Sequence, residues 1–243
     1  MEISIVFPAK DEAKFIKKSI SIAKKVPGVK EIIVVDGMSS DGTPEIASKS
    51  GARVIYQSLL KYPGKGVAMR DGYYFSKGDI IAFLDADIKN LSVDFIEKLI
   101  EPLRKGEADF VKGTFGRASG RVTELVAKPL LRMFYPELAK LSQPLSGEIA
   151  GTRKAFSVVE WELGWGVDIG IVIDIHKAGL RIVERNLGYK DHDMKPLPML
   201  TEMAFEVAET ILRKAERDGK LSRVEEEEML SNMRKELGEV ESK

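Results

Sequence analysis

Short apolar runs alternate with longer amphipathic stretches through the first half of the chain. Residues 3–7 (ISIVF), 31–35 (EIIVV), 53–56 (RVIY) and 79–84 (DIIAFL) are rich in β-branched residues and bounded by Gly, Pro or Asp, which predicts strands. Residues 12–25 between the first two follow a helical period. Thr43 before Pro44 reads as an N-cap ahead of a favoured first helical residue, and Gly51 stands at the C′ end. Ser92 opens another helix reaching about Arg104, with Gly106 beyond it. Strands alternating with helices predict right-handed βαβ units and an α/β fold whose mostly parallel sheet is covered on both faces. After Asp109 the pattern loosens. From about Leu197 it becomes charged amphipathic helices, and residues 222–243 are expected to stay solvated or to pair copies of the chain.

Composition narrows the chemistry. The 243 residues carry 38 basic and 38 acidic side chains, so the sum gives no sign of a nucleic-acid-binding surface. Zero cysteines exclude a disulfide framework and thiolate metal sites, leaving oxygen ligands and two histidines for any metal. The start, MEISIVFPAKDEA, has neither a basic leader nor a long apolar region. No run approaches the roughly 20 apolar residues of a membrane span. A cytoplasmic protein without a membrane span is expected.

In an open parallel sheet, ligands bind outside the carboxyl ends of the strands. The first predicted strand ends in FPAKDE, the second in VVDGMSSDGT and the fourth in DAD, so neighbouring strands would gather Glu12, Asp36, Asp85 and Asp87 at one crevice. Carboxylates spaced D-x-D suit Mg²⁺ or Mn²⁺ on a diphosphate. Strand-end aspartates also cap loops, and the spacing alone does not separate the two uses. The stretch YPGKGVAMRDG adds Lys65 between glycines ahead of a helix, a phosphate-favouring arrangement that a plain glycine turn explains equally well. It lacks the spacing of a Walker loop, and no GxGxxG follows the first strand. His176, inside a helical pattern near Gly179, reads as a helix-end or surface histidine.

Together FPAKDEA, VVDG with SSDGT, PGKG and LDAD resemble the nucleotide-binding half of GT-A-fold glycosyltransferases. The second half is more specific. Residues 116–156, GWGVDIGIVIDIHKAGL and NLGYKDHDMKPL are similar to the glucosyl-3-phosphoglycerate synthase family, over about residues 3–200. The resemblance implies a Rossmann-like, mostly parallel sheet flanked by helices, with a nucleotide-sugar-binding half at 1–115, an acceptor-binding half at 116–200 and a C-terminal helical extension at 201–243. It implies transfer of glucose from a nucleotide sugar to D-3-phosphoglycerate with retention. Carried over by motif, Pro8, Ala9 and Glu12 line the nucleotide, with Glu12 at the ribose, and Asp36 and Gly37 lie near the base. Lys65 meets phosphate, while Asp85 and Ala86 meet ribose or donor sugar. Asp87 and His192 hold Mg²⁺ or Mn²⁺, and Asp168 faces the transferred sugar. Gly120, Arg121, Val122 and Thr123 receive the acceptor: backbone amides at a helix start, with the Arg121 fork, suit a small dianion.

Two departures bear on specificity. The family pattern V-D-S-G-S-T-D-G-T is VDGMSSDGT here, placing Gly37 where a serine would meet the base, and G-V-E-I-G is GVDIG, giving Asp168 for a longer glutamate. Nucleobase and sugar are therefore left open. A retaining double displacement needs a carboxylate on the far face of the anomeric carbon, and no motif nominates one, so a front-face reaction assisted by the departing diphosphate is expected. Mannose in place of glucose, a polyprenyl phosphate acceptor, and a non-catalytic nucleotide-sugar sensor with its charged C-terminal helices as the partner surface are the alternatives, and a homodimer is the expected assembly. The missing membrane span counts against the lipid version, and the intact DAD, GKG and His192 set against the sensor.

Overall fold

Residues of period two build the sheet. In β1 (Ile3–Ala9), Ile3, Ile5 and Phe7 join one hydrophobic cluster while Val6 joins the other, all of them fully buried. The same split recurs in β2 (Val29–Asp36), where Ile32 and Val34 oppose Ile33 and Val35, and in β4 (Ile80–Phe83), where Ile80 and Ala82 oppose Ile81 and Phe83. Apolar residues on both faces require cover on both sides. The computed structural model describes residues 1–60, 62, 64–116, 120–191 and 197–241, with backbone alone at 197–199 and 237–241.

With β3 (Arg53–Tyr56), β5 (Phe110–Thr114), β6 (Ile149–Thr152) and β7 (Ile182–Asn186), the strands form one seven-stranded sheet in the order β3-β2-β1-β4-β6-β5-β7. Only β6 runs against its neighbours β4 and β5; the other pairings are parallel. The expected mostly parallel sheet is therefore present. Its strand order reverses beside β1, so the crevice between β1 and β4 is a topological switch point. β6 enters between β4 and β5, which brings its first residue to the same edge as the carboxyl ends of the others.

One face is covered by α1 (Ile16–Ala23), α2 (Thr43–Lys49) and α4 (Val93–Arg104); the other by α3 (Gly66–Phe75), α5 (Lys128–Phe134), α7 (Val167–Lys177) and α8 (Leu197–Arg217). α6 (Arg153–Ser157) follows β6 directly, and α9 (Arg223–Glu241) lies against α8. Ser92 caps α4 as expected, accepting from Phe95 N at 3.1 Å. At α2 the cap shifts: Gly42, at φ 87°, is the N-cap and Thr43 the first helical residue. The Thr43 hydroxyl instead donates to Asp41 at 2.5 Å and accepts from Glu12 N at 2.8 Å, so the loops after β1 and β2 are tied together. α1 also starts later than its period suggests, after a turn through Glu12.

Candidate functional site

Two loops form the first wall. Asp11 Oδ1 accepts from Ser40 N at 2.8 Å, Ser39 Oγ accepts from Asp11 N at 2.8 Å, and Asp41 Oδ2 accepts from Ala13 N at 2.9 Å. Asp11 and Met38 hold φ values of 58° and 65°, conformations seldom adopted outside glycine that this cross-linking sustains. Asp36, at the end of β2, is fully buried; Oδ2 accepts from Ser39 N at 3.0 Å, and Oδ1 has no hydrogen-bond partner among the described residues. A Cβ on Gly37 would meet only ordinary contacts of 3.4 to 3.5 Å from Lys10, Ala9 and Gln57. The missing serine side chain thus leaves space rather than relieving a clash.

The two aspartates after β4 have different surroundings. Asp85 accepts from Lys190 Nζ at 2.8 Å and faces Lys65 Nζ at 3.7 Å. Burial pushes its carboxyl up, but Lys190 and Lys65 outweigh this and hold it well below the usual carboxylate range. Beside them, burial and then the charges of Asp87 and Asp85 push the Glu12 carboxyl up to about 7. Positive charge gathers on Asp85, and negative charge is in excess around Glu12. An excess of this kind is what a divalent cation relieves, so the residues fit a metal here. Among the described residues no three carboxylate or imidazole side chains close on one point. His192, the other expected ligand, lies outside the described residues.

Lys65 joins the halves of the site. Its ammonium lies 2.9 Å from Asp168 Oδ2, at the start of α7, and faces Asp85 at the end of β4. Burial pulls it down, but Asp168 and Asp85 together hold it above the ordinary lysine range. The approach depends on Gly147, where a Cβ would lie 2.3 Å from Lys65 Nζ. Asp168 is 2 % exposed, and its Oδ1 has no hydrogen-bond partner among the described residues. Unlike Pro8 and Ala9 in β1 and Ala86 between the aspartates, which offer only backbone and small apolar surface, Asp36 and Asp168 present buried acceptors that a ligand's N–H or O–H groups would satisfy.

Three charged side chains behind this site escaped the motif reading. Lys190 donates to Glu148 Oε1 at 2.5 Å as well as to Asp85, and Lys112 donates to the Ser146 carbonyl at 2.8 Å; all three are buried. Burial, partly offset by Lys190 and reinforced by Asp85, pushes Glu148 up to about 7, and burial brings Lys112 down to about 8. Their signal is a charge inside an apolar strand, FVKGT for Lys112, or at its threshold, SGEIAG for Glu148.

The expected acceptor segment is helical as predicted for residues 121–134, but with a π-helical stretch at Thr123–Ala127, in which Lys128 N donates to Thr123 O. Gly120 and Arg121 are exposed at its start; Val122 and Thr123 are buried, so Val122 has only backbone to offer a ligand. His176 lies in the last turn of α7, where its sequence placed it.

The description "Glycosyl transferase family 2" matches residues 4–159. Glucosyl-3-phosphoglycerate synthase of Petrotoga mobilis is 39% identical, over 91% of this chain and 75% of its own length. The crystal structure of glucosyl-3-phosphoglycerate synthase from Mycobacterium tuberculosis in complex with Mn²⁺, uridine-diphosphate and phosphoglyceric acid superposes at a TM-score of 0.81 with 40% identity, over 88% of this chain and 78% of that one. Mannosyl-3-phosphoglycerate synthase from Rubrobacter xylanophilus gives 0.86 at 31% identity, over 92% and 76%. Glycosyl transferase family 2, and within it the glucosyl-3-phosphoglycerate synthases, is the family to which this chain belongs.

Proposed function

We propose that the chain transfers glucose from a nucleoside diphosphate sugar to D-3-phosphoglycerate, with retention, giving glucosyl-3-phosphoglycerate. The observation that carries the reading is Lys65 between Asp85 and Asp168, with two buried carboxylate oxygens, on Asp36 and Asp168, that lack hydrogen-bond donors among the described residues. Asp36 would accept from the base, with Pro8, Ala9, Gly37 and Glu12 lining the nucleotide. Asp85 and Ala86 would meet ribose and sugar, and Asp168 would accept a sugar hydroxyl. Asp87, with His192, would hold Mg²⁺ or Mn²⁺, which when bound stabilises charge on the departing diphosphate. Mn²⁺, uridine-diphosphate and phosphoglyceric acid in the M. tuberculosis enzyme support this donor, cofactor and acceptor.

Lys65 supplies fixed positive charge at the leaving group, and its hold on Asp168 makes that carboxylate a poor nucleophile. Asp168 therefore orients the sugar and forms no covalent link to it. As the glycosidic bond opens, the acceptor hydroxyl proton passes to the departing phosphate oxygen on the same face, with Arg121 and the Gly120–Thr123 amides fixing the acceptor. Residues 1–115 would thus serve mainly the donor and 116–200 mainly the acceptor. The cytoplasm is the proposed compartment, no described helix being long and apolar enough to cross a membrane, and a homodimer is the proposed assembly.

A mannose donor is the second reading, favoured by the short Asp168 arm and by the likeness to the R. xylanophilus mannosyl enzyme. Incubation with UDP-, ADP- and GDP-glucose and GDP-mannose, 3-phosphoglycerate and Mn²⁺, read by mass spectrometry, is expected to give a hexosyl-phosphoglycerate. Activity should vanish in EDTA and fall at least about a hundredfold in Asp87→Ala, a loss of several kcal/mol at the leaving group. Glucosyl product chooses glucose, mannosyl product chooses mannose, and full turnover in EDTA would refute the metal assignment.

A further inference from the structure

The C-terminal helix α8 presents a polar stripe at helical spacing: Glu206, Thr210, Arg213, Lys214 and Arg217. Each member meets the segment before α7 or α7 itself. Arg217 donates to Glu160 at 2.5 Å, Arg213 pairs with Glu162, and the buried Lys214 donates to Asp174 at 2.7 Å. The other two reach the turn Gly164–Trp165–Gly166 that launches α7, two residues before Asp168. Glu206 Oε2 accepts from Trp165 N at 2.5 Å. A Cβ on Gly164 would fall 1.8 Å from Glu206 Oε2, and one on Gly166 would fall 2.0 Å from Thr210 Oγ1.

The far side of this turn carries the Lys65 loop. Val67 N donates to Leu163 O at 3.0 Å. A Cβ on Gly64 would lie 2.9 Å from the Gly164 backbone, and one on Gly66 would lie 2.1 Å from the Glu162 carbonyl. Backbone therefore rests on backbone from the Lys65 loop to the turn, and the turn rests on two side chains of α8. Lys65 and Asp168, 2.9 Å apart, project from the two members of this stack.

We infer that Glu206, supported by Thr210, is a positioning residue for the Lys65–Asp168 pair: α8 clamps the Gly164–Trp165–Gly166 turn and thereby sets the corner that holds the donor sugar. The catalytic consequence rests on the glycosyltransferase reading; the clamp itself does not. A carboxylate that receives an amide at a helix start helps hold that start in place, and removing it loosens the turn. Small displacements of reacting groups cost large factors in rate. Neither Glu206 nor Thr210 would touch substrate.

The test compares Glu206→Ala and Glu206→Gln with the parent protein, each also in a Trp161→Phe background that leaves Trp165 as the single tryptophan of the two present. Glu206→Ala is expected to shift Trp165 emission, to lower kcat about thirtyfold or more, and to leave KM for 3-phosphoglycerate within about threefold. Glu206→Gln, which keeps one acceptor oxygen, should recover most of the rate and the parent emission. Unchanged Trp165 emission in Glu206→Ala would overturn the clamp whether or not an activity is found. Shifted emission with unchanged kcat would overturn its positioning role, as would equal loss of kcat, acceptor KM and thermal midpoint without rescue by Gln. A parent protein inactive with every sugar nucleotide would instead count against the transferase reading; the clamp would then be decided by Trp165 emission alone.

Discussion

Three lysines stand at or behind the aspartates that follow β4, and they are not equivalent. Lys65 and Lys190 neutralise Asp85, while Lys112 sits one layer deeper with Asp168 and Glu148 as its main favourable charges. A buried ammonium is costly when its partners only partly offset lost hydration. For Lys112 the folded value of about 8 lies below the ordinary 10.5, so between the two the unfolded chain binds more protons and stability rises with pH. Lys112→Met has no such titration. Relative to it, the parent protein is expected to gain about 3 kcal/mol between pH 7 and 11. Urea unfolding of both proteins at several pH values checks this, and parallel stability curves would refute it.

Among the elements, the helix over residues 121–134 departs most from regular geometry. The π-helical stretch at Thr123–Ala127 follows directly on the exposed Gly120 and Arg121, and such stretches are frequent at functional sites. Free amides at its start, with the Arg121 guanidinium, suit the two anionic groups of 3-phosphoglycerate. Arg121→Ala removes a charge-assisted contact worth about 1.5 to 3 kcal/mol. Acceptor affinity measured by calorimetry should fall about ten- to a hundredfold, with nucleotide binding nearly unchanged. Unaltered acceptor binding would remove Arg121 from the site, and equal loss of both ligands would indicate misfolding.

In the whole molecule, the last two helices divide sharply. α8 buries Ala204, Val207, Ala208, Ile211, Leu212 and Ala215 in the core that also holds α7, whereas among the described residues α9 contributes the partly buried Met229, Leu230 and Met233. A chain ending at Ser222 is therefore expected to melt cooperatively, within about 10 °C of the parent. A chain ending at Leu200, which removes that face of α8, should not fold. Calorimetry of the two truncations decides, and a folded shorter form would show that α8 is dispensable. Much of this plan is legible in the residues alone. Short apolar runs bounded by Gly, Pro and Asp determine β1 to β4, and the DAD and GKG spacing nominates Asp85, Asp87 and Lys65, because local propensity and short spacing are properties of the chain itself. Asp168 is nominated only by the likeness of GVDIG to the family. The antiparallel β6, the partners of Glu148 and Lys190 and the hold of Glu206 on the turn before Asp168 join positions 37 to 105 residues apart. No local pattern encodes such pairings: they exist only once the sheet is ordered and its two faces are covered, so the tertiary structure alone decided them.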